Sequence, residues 1–317
     1  MEASKKAMSK VGEDEKNVDA KVSDEEREEE DHSEEDSEEE EEEEVDYDEV
    51  EDEKEEDSEQ EATTTTENVS KKGDEIEDNT HESAKEKEEE KKVSKEEERT
   101  ALLKRVNNKM ETIFSGCPLG VGKSLSRQER LKFNLKSQSL AYAEINIPDF
   151  LLRILLRVKT LHCQNCEKDK IEGTFVDLGS GTGKPVFVAA LSGFFDRCVG
   201  IEILETVHSK STELLERYKG YVLPHLPEMS RHADIVFYRD DLTLADWQDA
   251  SCVFTLCTTF TEDVLNAIRM KARLCQIGTW FVTVTHPLRC EKYKLLERVQ
   301  CEMSFGAVSV FVQRKIY

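Results

Sequence analysis

A glycine-rich turn is the first feature of the sequence that could hold a ligand. Residues 176–183 read Val-Asp-Leu-Gly-Ser-Gly-Thr-Gly, which places glycines at Gly179, Gly181 and Gly183. Glycine lets a chain turn sharply from strand to helix, and its backbone can approach a ligand because no Cβ intervenes. The next helix is predicted to begin near Lys184, so its N-terminal N–H groups face the ligand. Such a turn predicts a nucleotide site, and taken alone it equally suits a dinucleotide.

Three acidic side chains at successive predicted strand ends extend this prediction: Asp177, Glu202 and Asp241. Glu202 is placed to accept the two ribose hydroxyls of an adenosine, and Asp177 to hold an ammonium group. Asp241 is placed to accept the adenine amino group, with Leu242 against the ring. An acid set with little to bind a pyrophosphate predicts the sulfonium cation S-adenosylmethionine as cofactor. The alternative interpretation makes Glu202 and Asp241 helix N-cap residues.

The elements that must position these residues follow from the apolar pattern. Short apolar runs predict strands, and longer stretches with helical spacing predict helices between them. Strands that alternate with helices imply an α/β fold with a doubly wound, mostly parallel sheet. The predicted strands cover 174–178, 198–203, 235–238, 251–256 and 279–285, edge strands fall within 303–313, and the helices cover 184–194, 206–221 and 262–275.

The region before the first strand is predicted to be helical. Residues 84–98 mix Glu and Lys densely, as in the exposed helices of coiled coils, and continue into apolar positions at helical spacing over 101–114. After a glycine- and proline-containing loop, a helix is predicted over 126–138, with Ser126 as N-cap and Glu129 completing a capping box. Another helix is predicted over 149–161. We therefore expect a small helical part over 99–148 and a core over 149–317.

Charge divides the chain into two parts. The formal net charge is −26, of which residues 1–98 carry roughly −30, while the remainder is roughly +5. The first part has few large apolar residues, so burial cannot offset the backbone ordering cost of about 1–2 kcal/mol per residue. We predict a disordered acidic leader over 1–98. It acts as a solubilising tail, binds basic partners such as histones, or masks a basic face of the domain.

Cysteine usage and hydropathy indicate an intracellular protein. The nine cysteines are scattered, and several lie in apolar runs, as expected in a reducing compartment. Cys163 and Cys166 form the one close pair, after His162, but no second pair stands at zinc-finger spacing. Free thiols in a surface loop are the preferred interpretation, and no metal is predicted. No apolar stretch suits a membrane span or a signal core.

Taken together, these motifs resemble class I methyltransferases, and more narrowly the non-SET histone H3 lysine-79 methyltransferases of the disruptor-of-telomeric-silencing type. The resemblance covers approximately residues 114–287. In that family a Tyr-Gly-Glu motif closes over the cofactor, and this chain has Tyr142, Ala143 and Glu144 in the corresponding place. Lys184 follows the glycine turn where the family commonly has Gln. The resemblance implies a Rossmann-like S-adenosylmethionine domain that methylates a histone lysine in the nucleus.

The residues that would lie near the substrate differ from those of the resembled family. The family's fourth strand ends in an Asn-containing stretch before a Phe, whereas residues 256–260 read Leu-Cys-Thr-Thr-Phe. Thr259 and Phe260 are predicted to line a lysine channel, with Phe260 as a core residue in the alternative. Tyr142 caps the cofactor or packs on the sheet.

The family's long basic tail is missing from this sequence, so we expect the domain itself to offer a basic face to DNA phosphates. Histones or nucleosomes are the expected partners. Alternative substrates are a non-histone protein or RNA, with a cytoplasmic location possible, and a further alternative is a cofactor-binding chromatin scaffold without turnover.

Overall fold

The computed structural model of the chain describes residues 78–118, 120–135, 137–164, 170–226 and 233–317. The predicted leader as far as residue 77, and Cys166 of the cysteine pair, lie outside the described residues. Cys163 is half-buried. Among the described helices, none is long and apolar enough to cross a bilayer.

The centre of the domain is a seven-stranded sheet with the order β3-β2-β1-β4-β5-β7-β6. The first five strands of the chain pair in parallel, and β7 runs antiparallel to both β5 and β6. The parallel strands are short and largely buried because helices cover both faces of the sheet. The strands are β1 (Thr174–Leu178), β2 (Arg197–Glu202), β3 (Asp234–Arg239), β4 (Cys252–Leu256), β5 (Trp280–Val284), β6 (Tyr293–Met303) and β7 (Gly306–Lys315).

Helices alternate with the parallel strands, as the sequence pattern predicted. Two π-helical segments, Phe150–Leu155 and Tyr218–Val222, continue the helices before them, and 3-10 turns span Gln138–Leu140 and Leu223–His225. The α-helices are α1 (Asp78–Ile113), α2 (Val121–Lys132), α3 (Ile147–Asp149), α4 (Leu156–Cys163), α5 (Lys184–Ser192), α6 (Glu205–Arg217) and α7 (Glu262–Ala272).

The core lies on both faces of the sheet. Along β1, Phe175 packs into one cluster with Phe150 and Phe254, whereas Val176 and Leu178 pack into the other cluster. This alternation is the period of two that a strand imposes on its side chains. It places the side chain of Asp177 on the same face of the sheet as Phe175.

The helix predicted for the Glu- and Lys-rich stretch is confirmed as the outer part of α1. Its described side chains from Val93 to Arg99 are exposed, and its buried contacts come later, from Val106, Met110 and Ile113. The proposed leader boundary at residue 98 falls inside this continuous helix.

Two sequence predictions are wrong. Helix α2 begins at Val121, after Gly120 in the left-handed region (φ 79°), so Ser126 lies inside the helix and is not its N-cap. The second error is at the sheet edge, where the strand Tyr293–Met303 was missed. Charged and polar residues interrupt its sequence, and Leu295 and Leu296 are exposed, so it lacks the continuous apolar run by which a buried strand is recognised.

Candidate active site

The glycine turn connects β1 to α5 in the way the sequence predicted. All three glycines have positive φ: 82° at Gly179, 55° at Gly181 and 87° at Gly183. Space is restricted as well, because a Cβ on Gly181 would stand 2.7 Å from the ring of Tyr142, and one on Gly183 would stand 2.4 Å from the ring of Phe237. Side chains at these two positions would displace the rings packed on the turn.

Glu202 stands at the end of β2 and organises the turn. Its carboxylate accepts the backbone N–H groups of Gly181 and Leu204, each at 2.9 Å. Burial raises the pKa of Glu202, although these two hydrogen bonds oppose the shift. Each carboxylate oxygen has two lone pairs, so Glu202 retains the capacity to accept hydroxyl groups from a ligand.

Asp177 is a buried acid at the cavity end of β1. The residue is 1% exposed, and neither carboxylate oxygen has a hydrogen-bond partner among the described residues. The pKa of Asp177 is raised well above its usual range, mainly by burial and secondly by the negative charge of Glu202. Buried polar groups are normally hydrogen-bonded, and a buried charge without a partner is costly. The position therefore suits a ligand group that donates hydrogen bonds or carries positive charge.

The segment that follows β3 is stabilised by hydrogen bonds from side chains within the segment itself. Asp241 accepts the backbone N–H and the hydroxyl of Thr243, each at 2.7 Å. The indole N–H of the buried Trp247 donates to the carbonyl of Leu242 at 2.9 Å and so fixes Leu242. Trp247 has no such role in the sequence interpretation, although a buried tryptophan normally needs an acceptor for its N–H group.

Tyr142 closes over the glycine turn through a polar network. Its hydroxyl donates to Glu144 at 2.9 Å and is 2.9 Å from the hydroxyl of Thr182. Glu144 in turn forms an ion pair with Lys184, and both side chains are less than one-fifth exposed. Burial, and then the charge of Glu144, raise the pKa of Tyr142 far above its usual value. Tyr142 is therefore a neutral phenol.

The turn between β6 and β7 anchors the same segment. The backbone N–H of Glu144 donates to the hydroxyl of Ser304 at 3.0 Å, and the N–H of Ser304 donates to the carbonyl of Glu144 at 2.9 Å. Next to this pair, Ile145 forms an antiparallel bridge with Met303. Ser304 was not predicted, because nothing in its local sequence indicates a partner 160 residues away.

A cavity of about 510 Å³ lies at the carboxyl ends of β1, β2 and β3, within the usual size range of ligand pockets. Of the predicted site residues, Tyr142, Gly179, Glu202, Asp241, Leu242 and Phe260 line this cavity.

A smaller cavity of about 20 Å³ adjoins it, and the two share Tyr142 and Gly179. The smaller cavity is lined by the remaining charged site residues, Glu144, Asp177 and Lys184. Gly181 and Gly183 shape the turn without lining either cavity, and neither does Thr259. Of the two residues predicted to form a substrate channel, only Phe260 reaches the large cavity.

The end of β4, where the sequence departs from the resembled family, is tied to the end of β5. The hydroxyls of Thr258 and Thr285 are 2.8 Å apart, and the Cys257 thiol donates to the carbonyl of Val284. Thr285 has φ of 72°, an uncommon conformation for a β-branched residue. Burial raises the pKa of Cys257 to about 11, so the thiol is neutral at physiological pH.

The parallel sheet, its antiparallel final pair and the cavity at the strand ends define a class I methyltransferase fold with Rossmann-like architecture. The family model described as histone methylation protein DOT1 matches residues 126–306. The chain belongs to this family. The expected fold class is thereby confirmed.

Several solved methyltransferase structures are similar to the chain at low identity. A candidate RNA methyltransferase from Pyrococcus horikoshii is 12% identical, with 61% of this chain and 100% of that chain covered and a TM-score of 0.40. Magnesium protoporphyrin IX methyltransferase from Synechocystis with bound S-adenosylmethionine is 13% identical, with coverages of 61% and 97% and a TM-score of 0.37. The tRNA m1G37 methyltransferase of M. jannaschii is 12% identical, with coverages of 56% and 53% and a TM-score of 0.38. The comparison with curated proteins found no match.

Proposed function

We propose that this protein transfers a methyl group from S-adenosylmethionine to a histone lysine in chromatin, of the histone H3 lysine-79 type. The observation that carries the proposal is Asp177, a buried carboxylate at the cavity end of β1 that has no hydrogen-bond partner in the part of the chain that the structure describes. Such a group fits the ammonium of the methionine part of the cofactor. Membership of a family described by histone methylation supports the substrate class.

The acids of the site fit a ligand with net positive charge. Lys184 neutralises Glu144 in an ion pair, whereas among the described residues no cation pairs with Asp177 or Glu202. When bound, S-adenosylmethionine supplies an activated methyl group. Asp177 would hold the ammonium, Glu202 the ribose hydroxyls, and Asp241 the adenine amino group. Together they would orient the cofactor for in-line transfer.

The remaining residues that line the large cavity would give the methyl acceptor an apolar route to the cofactor. Phe260 and Leu256 line the large cavity beside Ala141 and Ala143. A lysine must lose its proton before it can act as nucleophile, and apolar surroundings favour the neutral amine by desolvation. Tyr142 is not a base for this proton, because its own proton is held by Glu144. The chain would then act by desolvation and orientation, and the proton would pass to solvent.

The charge of the domain supports a nucleosomal partner and a nuclear location. On α2, the exposed side chains of Lys123 and Arg127 lie one turn apart and form a basic surface, and Lys132 is exposed at the end of the helix. The acid of this helix, Glu129, is buried and bonded to α6, so it does not neutralise that surface. Lysine and arginine at such a surface bind DNA phosphates with release of counterions.

A second candidate acceptor follows from the end of β4. The paired hydroxyls of Thr258 and Thr285 stand where the resembled family ends in an Asn-containing stretch. This difference favours an acceptor other than the family's lysine, either on a non-histone protein or on RNA.

To distinguish the two candidate methyl acceptors, the protein is incubated with labelled S-adenosylmethionine and with recombinant nucleosomes, free histones or total RNA. The proposal expects label in nucleosomal histone H3, at a lysine located by mass spectrometry, and no transfer by Asp177→Asn. Transfer to RNA or to a non-histone protein, with nucleosomes unmodified, would overturn the histone assignment. Failure to bind S-adenosylmethionine in calorimetry would overturn the cofactor assignment.

A further inference from the structure

Helix α2 supports one wall of the large cavity through two of its residues. The buried hydroxyl of Ser126 donates to the carbonyl of Leu140 at 3.1 Å. One turn earlier, Gly122 lies so close to Tyr142 that an added Cβ would stand 2.1 Å from Cζ of the ring. Leu140 and Tyr142 both line the cavity. The position of α2 therefore determines where this covering wall can lie.

The same helix also holds a second part of the cavity wall, through Glu129. One carboxylate oxygen accepts the N–H of Glu205 at 2.8 Å, and the other accepts the N–H and the hydroxyl of Thr206 at 2.7 and 2.5 Å. These residues begin α6, whose own N-cap position is Leu204, a side chain that cannot accept a hydrogen bond. Glu129 thus caps a helix other than its own, next to Leu204 in the cavity wall.

The electrostatics of Glu129 agree with this role. Burial alone would raise the pKa of Glu129, but the hydrogen bonds from Thr206 and Glu205, with the charge of Arg239, hold it below its ordinary value. The carboxylate is therefore charged at neutral pH, and a negative charge at a helix N-terminus is favoured by the helix dipole. A glutamine would keep one acceptor oxygen and lose the charge.

We propose that Ser126 and Glu129 are positioning residues that clamp the two cavity walls together through α2. Neither residue lines the cavity, so each acts through a neighbour: Ser126 through Leu140, and Glu129 through the turn containing Leu204. The clamp sets the separation of the walls between which the cofactor binds. In this respect the inference rests on the proposed function.

Hydrogen exchange of the ligand-free protein tests the clamp without any cofactor. Glu129→Gln should speed exchange at the start of α6 and also in residues 137–143, because one helix holds both segments. Ser126→Ala should affect the same two segments. Asp196→Asn is the matched control: it removes a carboxylate that accepts the N–H of Gly173 at 2.9 Å, in the loop before β2 at the other end of the strand. Faster exchange confined to the start of α6 in Glu129→Gln would overturn the clamp.

Calorimetry with S-adenosylmethionine tests the consequence for binding. Glu129→Gln should raise the cofactor Kd by about tenfold, because it removes one of the two acceptor oxygens and the negative charge at the start of α6. Thr206→Val removes the hydroxyl that donates to Glu129 and to the carbonyl of Leu125, but it keeps the backbone N–H bonds to Glu129, and it should give a smaller rise in Kd. Asp196→Asn should leave the Kd unchanged, even if its Tm falls as far as that of Glu129→Gln. Unchanged Kd in Glu129→Gln, with the unaltered protein binding normally, would overturn the inference. If the unaltered protein did not bind the cofactor, the proposed function would fail, and the exchange result alone would decide on the clamp.

Discussion

The carboxylate of Glu202 accepts the backbone N–H of Gly181 at 2.9 Å, so the end of β2 holds the glycine turn that follows β1. The second oxygen accepts the N–H of Leu204, which begins the turn into α6. One side chain therefore fixes two backbone segments at the mouth of the cavity. It does so while retaining lone pairs for a ligand.

Replacing Glu202 with alanine should weaken S-adenosylmethionine binding by about 2 kcal/mol or more, the scale of two charge-assisted hydrogen bonds. The expected cause is loss of the ribose acceptor together with a loosened glycine turn. Calorimetry measures the change, and Asp234→Ala, at the opposite end of the neighbouring strand, serves as control. Equal affinity in Glu202→Ala and the unaltered protein would contradict the ribose assignment.

Replacing Asp177 with asparagine should stabilise the ligand-free protein and weaken cofactor binding. The pKa of Asp177 is raised in the folded state, so its contribution to stability is present below the unfolded-state pKa and is lost as the pH rises through the folded-state pKa. At neutral pH a charge here opposes folding. The Tm of ligand-free Asp177→Asn should therefore be higher at pH 7, by about 2–4 °C per kcal/mol of relieved cost.

Two further measurements check this explanation. The Tm difference should shrink as the pH falls toward the ordinary carboxyl range near about 4, where the unfolded chain is protonated. Cofactor affinity should be lower in the variant at every pH at which the cofactor binds. A lower Tm for ligand-free Asp177→Asn at pH 7 would show that the carboxylate is satisfied in the folded protein.

Replacing Gly122 with alanine should harm the site although it favours the helix. Alanine stabilises a helix interior by about 1 kcal/mol relative to glycine, but here its Cβ would displace the Tyr142 ring from its place near Thr182. We expect an approximately tenfold rise in the Kd of S-adenosylmethionine, the scale of one lost interaction. Gly220→Ala is the control, because no atom lies within 4 Å of its added Cβ. Equal Kd values for S-adenosylmethionine in the two variants would show that displacement of the Tyr142 ring does not affect cofactor binding.

A chain that starts at Lys95 should keep both its Tm and its cofactor affinity. Of the α1 side chains that the structure describes, from Val93 to Ile113, Val106, Met110 and Ile113 are buried, and all three lie beyond the truncation point. A chain that starts at Cys117 lacks these contacts and should be strongly destabilised in thermal unfolding. Loss of folding in the longer chain would show that residues before Lys95 contribute to the core.

The sequence by itself determined the parallel part of the sheet and predicted an acid set at its carboxyl edge. Residues such as Phe175 and Val176 lie in short apolar runs between helical stretches, and this pattern is local enough to be recognised without tertiary information. Since parallel strands end at a common edge, the positions of Asp177, Glu202 and Asp241 in those runs also predicted that they would lie near one cavity. The strand Tyr293–Met303 was not predicted because charged residues interrupt its sequence without a regular alternation of apolar and polar positions.

Only the tertiary structure decided which partner each polar side chain takes. Ser126 and Glu129 match the local signature of a capping box, yet Ser126 bonds to Leu140 and Glu129 caps α6, 76 residues further along the chain. The ion pair of Lys184 with Glu144 and the anchoring of Glu144 by Ser304 are equally long-range. A hydrogen bond requires only a donor and an acceptor at the right distance and angle. Residue types and spacing therefore show that a group needs a partner, and only the folded chain shows which one it takes.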